Sequence, residues 1–447
     1  MNAASRSAST RNVQLDFFRG FALMVIFVNH MPDNPWSYFM PSRLGPSDAA
    51  EAFVFLSGFV AAIAYGRSFS EAGIGLGILQ VLYRCGQIYV AHLLLFISIT
   101  SMFLLMHFNG LGDGWQLDNL HYFFDQTQNA LLALVSLTYL PNFIDILPMY
   151  LVILLWVPMI WSLSRIHVLL AIAVSVALYI CAWSLGWELM ADPISGRHWY
   201  FNPFCWQLIF FTGFAFSSGW LPIPRFNRNL FWACMLFVVF CLPLGTADCY
   251  ELPWFRALRD QWPFLVDKSH FGLIRFLHFL AMTYLVRIFM QKHQEWLNSW
   301  LAGKVINMGQ QSLPVFMMGS VLSLVGGILL ETSDGDFVDS SFINVAGLGV
   351  MMLFAQFLNW LDQKPWKIFA KKSSYPQTVQ WPRHAFMVFG LVLITITPLL
   401  LVQPSVAPVN MAETTDNTMS PTHSKDAPKK TEKAAFQKSL IESPDTL

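Results

Sequence analysis

Stretches of about 20 apolar residues recur along this chain and limit what it can fold into. The chain has 447 residues, of which 55% are hydrophobic and 12% are charged, whereas soluble domains carry about 25% charged residues. A helix needs about 20 apolar residues to cross a bilayer, so the sequence predicts an all-α, polytopic integral membrane protein with about 10–12 transmembrane helices. The expected spans lie near residues 14–31, 50–66, 85–107, 144–163, 168–187, 204–220, 229–245, 271–290, 311–330, 341–361 and 385–402.

Two further segments complete the expected organisation. The apolar stretch 128–141 is bounded by Pro141 and is too short to span comfortably, so we expect it to be re-entrant or to lie at the membrane interface. Residues 404–447 are polar and contain few aromatic residues, which predicts a disordered tail. The sequence thus indicates a short cytoplasmic N-terminus (1–12), a multi-helix membrane domain (13–403) and a polar tail (404–447).

The distribution of lysine and arginine predicts the orientation. With the N-terminus in the cytoplasm, 16 cations fall in inside loops and helix ends and 6 in outside ones, as the positive-inside rule requires. The side on which the tail lies stays open. The apolar spans indicate a lipid bilayer as partner, and with a net charge of +0 we expect no nucleic acid. The six cysteines include no CxxC pair, which argues against a disulfide framework and against a metal site.

Arg19 and His30 bracket the first span and are its most informative residues. Eleven residues of helix advance about 16 Å through nearly three whole turns, so both side chains point the same way. Ionisable groups within a span usually face a protein interior or a water-filled cavity and mark function. An interfacial anchor (Arg19) and a hydrogen-bonded histidine at a helix end (His30) explain the pair equally well.

Asp48 and Glu51 lie three residues apart where the second helix should begin. They share a face there and complement the positive end of the helix dipole. Simple N-terminal capping explains Asp48. Glu51 begins an apolar run, FVFLSGF, and is a candidate to orient or charge-balance His30. An imidazole with an acidic neighbour can accept and return a proton near neutral pH. No nucleophile motif is visible, so we expect direct transfer without a covalent enzyme intermediate.

Other polar residues interrupt the apolar spans, and together they favour a shared polar cavity. Arginine within a membrane helix needs an anion or a carbonyl as partner. In DKSHFGLIRFLHFLA the spacing predicts one helical face for Asp267, Arg275 and His278. The candidate substrate-binding residues are Arg19, Arg84, Asp145, Lys268, Arg275 and His278.

The chain resembles the OpgC-type succinyltransferases of osmoregulated periplasmic glucans. The first matching segment is RNVQLDFFRGFALMVIFVNHMPDNPWSYFMPSRLGPSDAAEAFVFLSGF, and further matches are DILPMYLVILLWVP, NPFCWQLIF, DKSHFGLIRFLHFLA and GQQSLPVFMMG. More loosely, the N-terminal portion is similar to the wider type-3 membrane acyltransferases. Their Arg-x10-His signature is matched by Arg19 and His30, and their acidic residue before FFxLSGF by Glu51.

This resemblance implies acyl transfer across the bacterial inner membrane. An acyl group, by resemblance succinyl, would pass from cytoplasmic acyl-CoA to a hydroxyl of a periplasmic glucan, with acyl-CoA as co-substrate and no permanently bound cofactor. His30 would be the general base or acid, Arg19 would contact the CoA or its thioester, and Glu51 or Asp48 would tune His30. The wider superfamily has a denser basic cluster after the second span, where this chain has only Arg84.

Two alternatives to this function stay open at the sequence level. A transporter or flippase of a polar metabolite would use broken segments and buried charges equally well. An acyltransferase could also act on another cell-envelope glycan. A positively charged pocket at Lys268 and Arg275 would suit a succinyl carboxylate or the CoA phosphates.

Overall fold

The structure, a computed structural model, describes residues 12–108, 120–142, 144–245, 252–333 and 336–366. Met1–Gln363 forms one compact unit, and Lys364–Leu447 forms a second one. Of the second unit only residues 364–366 are described. The predicted span at 385–402 and the predicted disordered tail at 404–447 therefore lie outside the described residues, as does nearly all of the predicted N-terminal segment 1–12.

Helices make up the regular structure of the described residues, and one isolated antiparallel bridge joins Met190 to His198. Short 3-10 helices occupy Pro35–Phe39, Pro41–Arg43, Leu242–Leu244 and Gln294–Asn298. The α-helices are α1 (Val13–Asn29), α2 (Ala49–Glu71), α3 (Ile74–Phe108), α4 (His121–Asp125), α5 (Thr127–Val135), α6 (Ile146–Ile166), α7 (Val168–Leu185), α8 (Pro203–Ser217), α9 (Arg228–Cys241), α10 (Pro253–Gln261), α11 (Pro263–Val266), α12 (Leu273–Lys292), α13 (Trp300–Gln310), α14 (Ser312–Thr332) and α15 (Phe337–Asp362).

Seven of the described helices are long and apolar enough to cross a membrane: α2, α3, α6, α7, α12, α14 and α15. The predicted fold class is confirmed, and the chain is an all-α polytopic membrane protein. Helices α1, α8 and α9 match three further predicted spans but have only 17, 15 and 14 residues. At about 1.5 Å per residue they are shorter than the roughly 30 Å hydrocarbon core of a bilayer.

Some helix boundaries differ from the predicted spans. Helix α3 begins at Ile74, well before the predicted residue 85, because residues 74–84 are themselves mostly apolar and continue the same helix despite Gln80 and Arg84. Helix α13 was not predicted, since its 11 residues include Lys304 and two glycines. Its first turn is capped by Ser299, whose hydroxyl accepts the Ala302 amide at 3.2 Å. The short stretch at 128–141 forms α5, which ends at Val135.

Two pairs of helices pack backbone against backbone through glycines. A side chain on Gly20 of α1 would collide with the Val305 carbonyl of α13, and one on Gly309 of α13 would collide with the Asp16 carbonyl of α1. Helices α2 and α8 repeat the arrangement, with Gly58 against Phe210 and Gly213 against Phe55. Small residues allow this close approach between membrane helices. The contacts hold in place the two helices that carry Arg19 and Glu51.

Candidate functional site

The candidate site lies where α1 ends and where α2 and α12 begin. Asp48 is the N-cap of α2 and Glu51 lies in its first turn. The Asp48 amide donates to Glu51 Oε2 at 2.8 Å, and Asp48 Oδ1 accepts the Ala50 amide at 2.7 Å. These bonds form a capping box, which satisfies backbone amides that would otherwise lack partners. The capping role that the sequence suggested for Asp48 is therefore present, and it leaves one oxygen of each carboxylate for other partners.

Two cations take up those remaining carboxylate oxygens. Arg275, in the first turn of α12, donates from Nε and Nη2 to Glu51 Oε1 at 2.9 and 2.6 Å. Lys268 Nζ lies 2.7 Å from Asp48 Oδ2. Arg275 Nη2 also lies 3.8 Å from the same Asp48 oxygen. We call Asp48, Glu51, Lys268 and Arg275 the ion-pair cluster.

The formal charges of the ion-pair cluster balance. The sequence suggested a positively charged pocket at Lys268 and Arg275, but each cation has a carboxylate partner. The two pairs differ in burial, since the side chains of Glu51 and Arg275 are 0% and 8% exposed, and those of Asp48 and Lys268 are 18% and 23% exposed. We call Glu51–Arg275 the buried pair and Asp48–Lys268 the accessible pair.

His30 and Tyr200 border the accessible pair. His30 ends α1, where its amide donates to the Ile26 carbonyl at 2.9 Å, and its half-buried ring interacts electrostatically with Lys268 and Asp48. Tyr200 is also half-buried. Lys268 Nζ lies 5.8 Å from the centre of its ring, a distance at which an ammonium group is attracted to the aromatic face. Lys268 is thus the group that interacts with both His30 and Tyr200.

A tightly bonded loop between α11 and α12 holds Lys268 in place. Asp267 accepts the amides of Ser269 and His270 at 3.3 and 2.7 Å. Trp206 Nε1 donates to the Lys268 carbonyl at 3.1 Å, and Tyr179 donates its hydroxyl to the Phe271 carbonyl at 3.0 Å. The expected common helical face is wrong for Asp267, which precedes the helix, whereas Arg275 and His278 both lie on α12. Helix α12 begins only at Leu273, after a turn in which Phe271 has a positive φ of 54°.

The same loop carries a histidine between two carboxylates. His270 Nδ1 lies 2.8 Å from Asp267 Oδ2, and its Nε2 lies 2.8 Å from Glu188 Oε1. Burial lowers the pKa of His270, but the bonds and charges of Asp267 and Glu188 outweigh that effect and raise it above its ordinary value. The other oxygen of Glu188 lies 2.7 Å from His198 Nδ1. This network joins the loop before α12 to the connection between α7 and α8.

Charge also shifts the titration of the accessible pair. Burial alone would raise the pKa of Asp48, but Lys268 and Arg275 outweigh it and hold that pKa well below its usual range. Burial would lower the pKa of Lys268, and the Asp48 carboxylate reverses this, so the lysine pKa is raised. Both groups are therefore charged at neutral pH.

His278 supports the segment that precedes α2. Its Nδ1 lies 2.7 Å from the Ser47 hydroxyl, and both side chains are buried. Gly45 has a positive φ of 140°, and a Cβ there would lie only 2.7 Å from His278 Cε1. The loop thus lies directly on the imidazole, so His278 positions the residue next to Asp48.

Arg19 lies in a second polar region, toward the other end of α1. It donates to the Ser312 hydroxyl at the start of α14. The Tyr150 phenol lies within hydrogen-bonding reach of Ser57 and interacts electrostatically with Arg84 and Arg19. We call this set the Arg19 region. Arg84 itself donates to Gln87 at 3.0 Å, which leaves it on the edge of the region.

Asp145 lies at the N-cap of α6 and not in the ion-pair cluster. Its Oδ2 is 3.6 Å from Arg197 Nη1, and the Tyr200 backbone lies within its hydrogen-bonding reach. Asp145 therefore supports the segment that carries Tyr200. The sequence singled out neither Tyr200 nor Ser47, because a lone aromatic or serine in a loop carries no periodic signal. Among the described residues no group of three or more His, Cys, Asp or Glu side chains could hold a metal ion.

Comparison with known proteins identifies a family for the chain. A family model described as OpgC protein matches residues 11–363, which includes every candidate site residue. No curated protein matches the chain, and no solved structure matches it either.

Proposed function

This chain belongs to the OpgC protein family, which indicates a glucan-modifying acyltransferase, and we propose that it transfers a succinyl group from cytoplasmic succinyl-CoA to hydroxyls of a periplasmic glucan. The observation that carries this proposal is the position of His30. Its ring lies beside the accessible pair at one end of α1, while Arg19 lies on the same helix in a separate polar region. One continuous helix thus links a proton acceptor with a cation that suits an anionic donor.

In the proposed step, His30 acts as general base and then as general acid. One ring nitrogen accepts the proton of a glucan hydroxyl while the hydroxyl oxygen attacks the thioester carbonyl. The new C–O bond forms, the C–S bond breaks, and the proton passes from the imidazolium to the departing sulfur. The products are a glucan ester and free CoA. A positioned acid–base group of this kind contributes roughly 10²–10⁴-fold to the rate.

Asp48 and Glu51 have different proposed roles beside this base. Burial and the Lys268 charge disfavour a protonated His30, and Asp48 acts in the opposite direction. The proposed role of the Asp48 carboxylate is to offset them and so to stabilise the imidazolium that forms during the reaction. Glu51 is a positioning residue, because it accepts the Asp48 amide and holds Arg275. His278 is a second positioning residue, since it bonds Ser47.

The Arg19 region is the proposed site of the donor. Arg19 and Arg84 both interact electrostatically with the Tyr150 phenol, so two cations act on one polar group. The CoA moiety carries phosphates, and arginine binds phosphate oxygens with paired N–H donors. We assign the part of CoA that leads toward the thioester to Arg19 and the outer part of CoA to Arg84, while the thioester carbonyl itself reaches His30.

The proposed orientation follows from charge in the sequence. Excess lysine and arginine on one set of loops favours a cytoplasmic N-terminus in a bacterial inner membrane. The Arg19 region then faces the cytoplasmic supply of acyl-CoA, and His30 faces the periplasm. Donor and acceptor would meet from opposite sides of the membrane.

The proposal is tested with the purified full-length chain in detergent micelles, succinyl-CoA and isolated periplasmic glucan. We expect free CoA to be released only when glucan is present, and the His30→Ala variant to lose this release. His293→Ala is the matched control, because His293 is likewise the C-cap histidine of a helix, and it should keep the activity. Solute uptake into liposomes without any acceptor-dependent release of CoA would refute the proposal and favour a carrier.

A further inference from the structure

Lys268 of the accessible pair has no role in the acyl-transfer step proposed above. Lys268 and Asp48 border the region of His30 and are more exposed than the buried pair. The Lys268 backbone is fixed, since Trp206 donates to its carbonyl and Asp267 accepts the two amides that follow it. Only the lysine side chain is therefore free to change its partner.

Asp48 keeps other partners if Lys268 turns away from it. Its Oδ1 accepts the Ala50 amide at 2.7 Å, and Arg275 Nη2 lies 3.8 Å from its Oδ2. A buried carboxylate that loses its only cation is strongly destabilising, but Asp48 would still have a bond and a nearby guanidinium. Lys268 can therefore leave Asp48 for another anion with little loss of stability.

We infer that Lys268 determines donor specificity by binding a free carboxylate at the far end of the acyl group. The inference rests on the proposed function and names the class of donor: the CoA thioester of a dicarboxylic acid. Three C–C bonds separate the thioester carbon of a succinyl group from its terminal carboxyl carbon, a distance of about 4 Å. With the thioester carbonyl at His30, we place the terminal carboxylate at Lys268, whose charge acts on the His30 ring.

Arg275 cannot take this role in the resting cluster. Its Nε and Nη2 are both bonded to Glu51 Oε1, and its side chain is 8% exposed. Removing Arg275 from Glu51 would leave a fully buried carboxylate without its cation. Lys268 is instead a compact, rotatable charge on a flexible stem, and Tyr200 supplies an aromatic face beside which it can move.

The test compares two donors that have the same number of carbons. Succinyl-CoA ends in a carboxylate and butyryl-CoA ends in a methyl group. Both are given to the full-length protein with unsubstituted glucan, so that the donor is the sole source of an acyl carboxylate. In Lys268→Met we expect the ratio of kcat/KM for succinyl-CoA to that for butyryl-CoA to fall about 100-fold, chiefly through KM, because a charge-assisted bond to the donor is lost.

Two variants control for a merely structural effect. Lys268→Arg keeps the positive charge and should retain most of the preference for succinyl-CoA. Lys304→Met removes another half-buried lysine, whose Nζ bonds Gln356 at 2.6 Å, and should leave the ratio unchanged. If Lys268→Met lowered kcat/KM equally for succinyl-CoA and butyryl-CoA, so that their ratio did not change, the inference would be overturned while the proposed acyl transfer would stand. Absence of transfer from either donor in the unmodified protein would refute the proposed function, and the inference would fall with it.

Discussion

The two ion pairs at the start of α2 contain the same charges but differ in what surrounds them. The buried pair joins Glu51 to Arg275 through two bonds at 2.9 and 2.6 Å to one carboxylate oxygen. The accessible pair joins Asp48 to Lys268 through one contact at 2.7 Å, beside His30 and Tyr200. Asp48 and Glu51 lie only three positions apart at the start of α2, so the two pairs are close neighbours in the fold.

Burial decides which pair supports the fold and which is available for chemistry. A buried ion pair contributes little net stability, but breaking it leaves an uncompensated charge. An exposed pair gains less from its attraction and loses less when it breaks. The comparison predicts that one pair fixes the geometry of α2 and α12 and that the other exchanges partners with ligands.

The largest expected effect on stability comes from breaking the buried pair. Glu51→Ala leaves the buried Arg275 without the carboxylate that accepts its two hydrogen bonds and should lower the free energy of unfolding by about 3–5 kcal/mol. Unfolding by SDS in mixed micelles measures the change. Removing the second charge as well, in Glu51→Ala with Arg275→Met, should recover part of the loss. If the double variant were no more stable than Glu51→Ala, Arg275 would not be a buried charge that depends on Glu51.

Breaking the accessible pair should lower the free energy of unfolding by less than breaking the buried pair does. Asp48→Ala removes a helix cap and one partner of a partly exposed pair, with an expected cost of about 1–2 kcal/mol at neutral pH. Because the folded-state pKa of Asp48 is held below its ordinary value, its stabilisation is present above about pH 4 and is lost as the pH falls toward the folded-state value. The same unfolding assay is run at neutral and acidic pH. The difference in the free energy of unfolding between the unmodified protein and Asp48→Ala should become smaller in acid.

A loss from Asp48→Ala as large as that from Glu51→Ala would show that the two pairs are equally buried. If the difference in the free energy of unfolding between the unmodified protein and Asp48→Ala did not change with pH, the Asp48 charge would not stabilise the fold. Either result would remove the contrast between the pairs.

The smallest expected effect lies in the loop that positions Lys268. Because the pKa of His270 is raised, its stabilisation is complete below about pH 6.5 and is lost as the pH rises through the folded-state value. His270→Gln should cost about 1 kcal/mol or less below that pH. Hydrogen exchange of the amides in residues 267–271 is the measurement. If rising pH lowered the protection of these amides equally in the unmodified protein and in His270→Gln, His270 would not be what holds the loop.

Much of the membrane fold could be predicted from the sequence, since apolar length alone indicates a span. The prediction failed where a helix is polar or short: α13 lies against α1 through Gly20 and Gly309, a contact between residues nearly 300 positions apart. The start of α3 was placed too late for a different reason, because Gln80 and Arg84 interrupt an apolar stretch that already begins at Ile74.

The candidate site was predictable in its residues but not in its pairings. Arg19, His30, Asp48, Glu51, Lys268 and Arg275 stand out because a membrane segment rarely contains ionisable groups. Which cation meets which carboxylate depends on the turn at Phe271 and on the start of α12 at Leu273. Tyr200 was not predicted, because its position depends on the bonds around Asn202 and Ser269, where the Asn202 amide donates to the Ser269 carbonyl at 3.1 Å.

The role of His30 as the proton acceptor beside the accessible pair is the central claim, and the charge of the periplasmic glucan tests it most directly. Cells that lack the protein are supplied with the unmodified chain, with His30→Ala or with His293→Ala, and the membrane content of each protein is measured. Mass analysis of the glucan should find anionic acyl substituents with the unmodified chain and with His293→Ala, and none with His30→Ala at equal protein content. Glucan of unchanged charge in the His30→Ala cells would contradict the account.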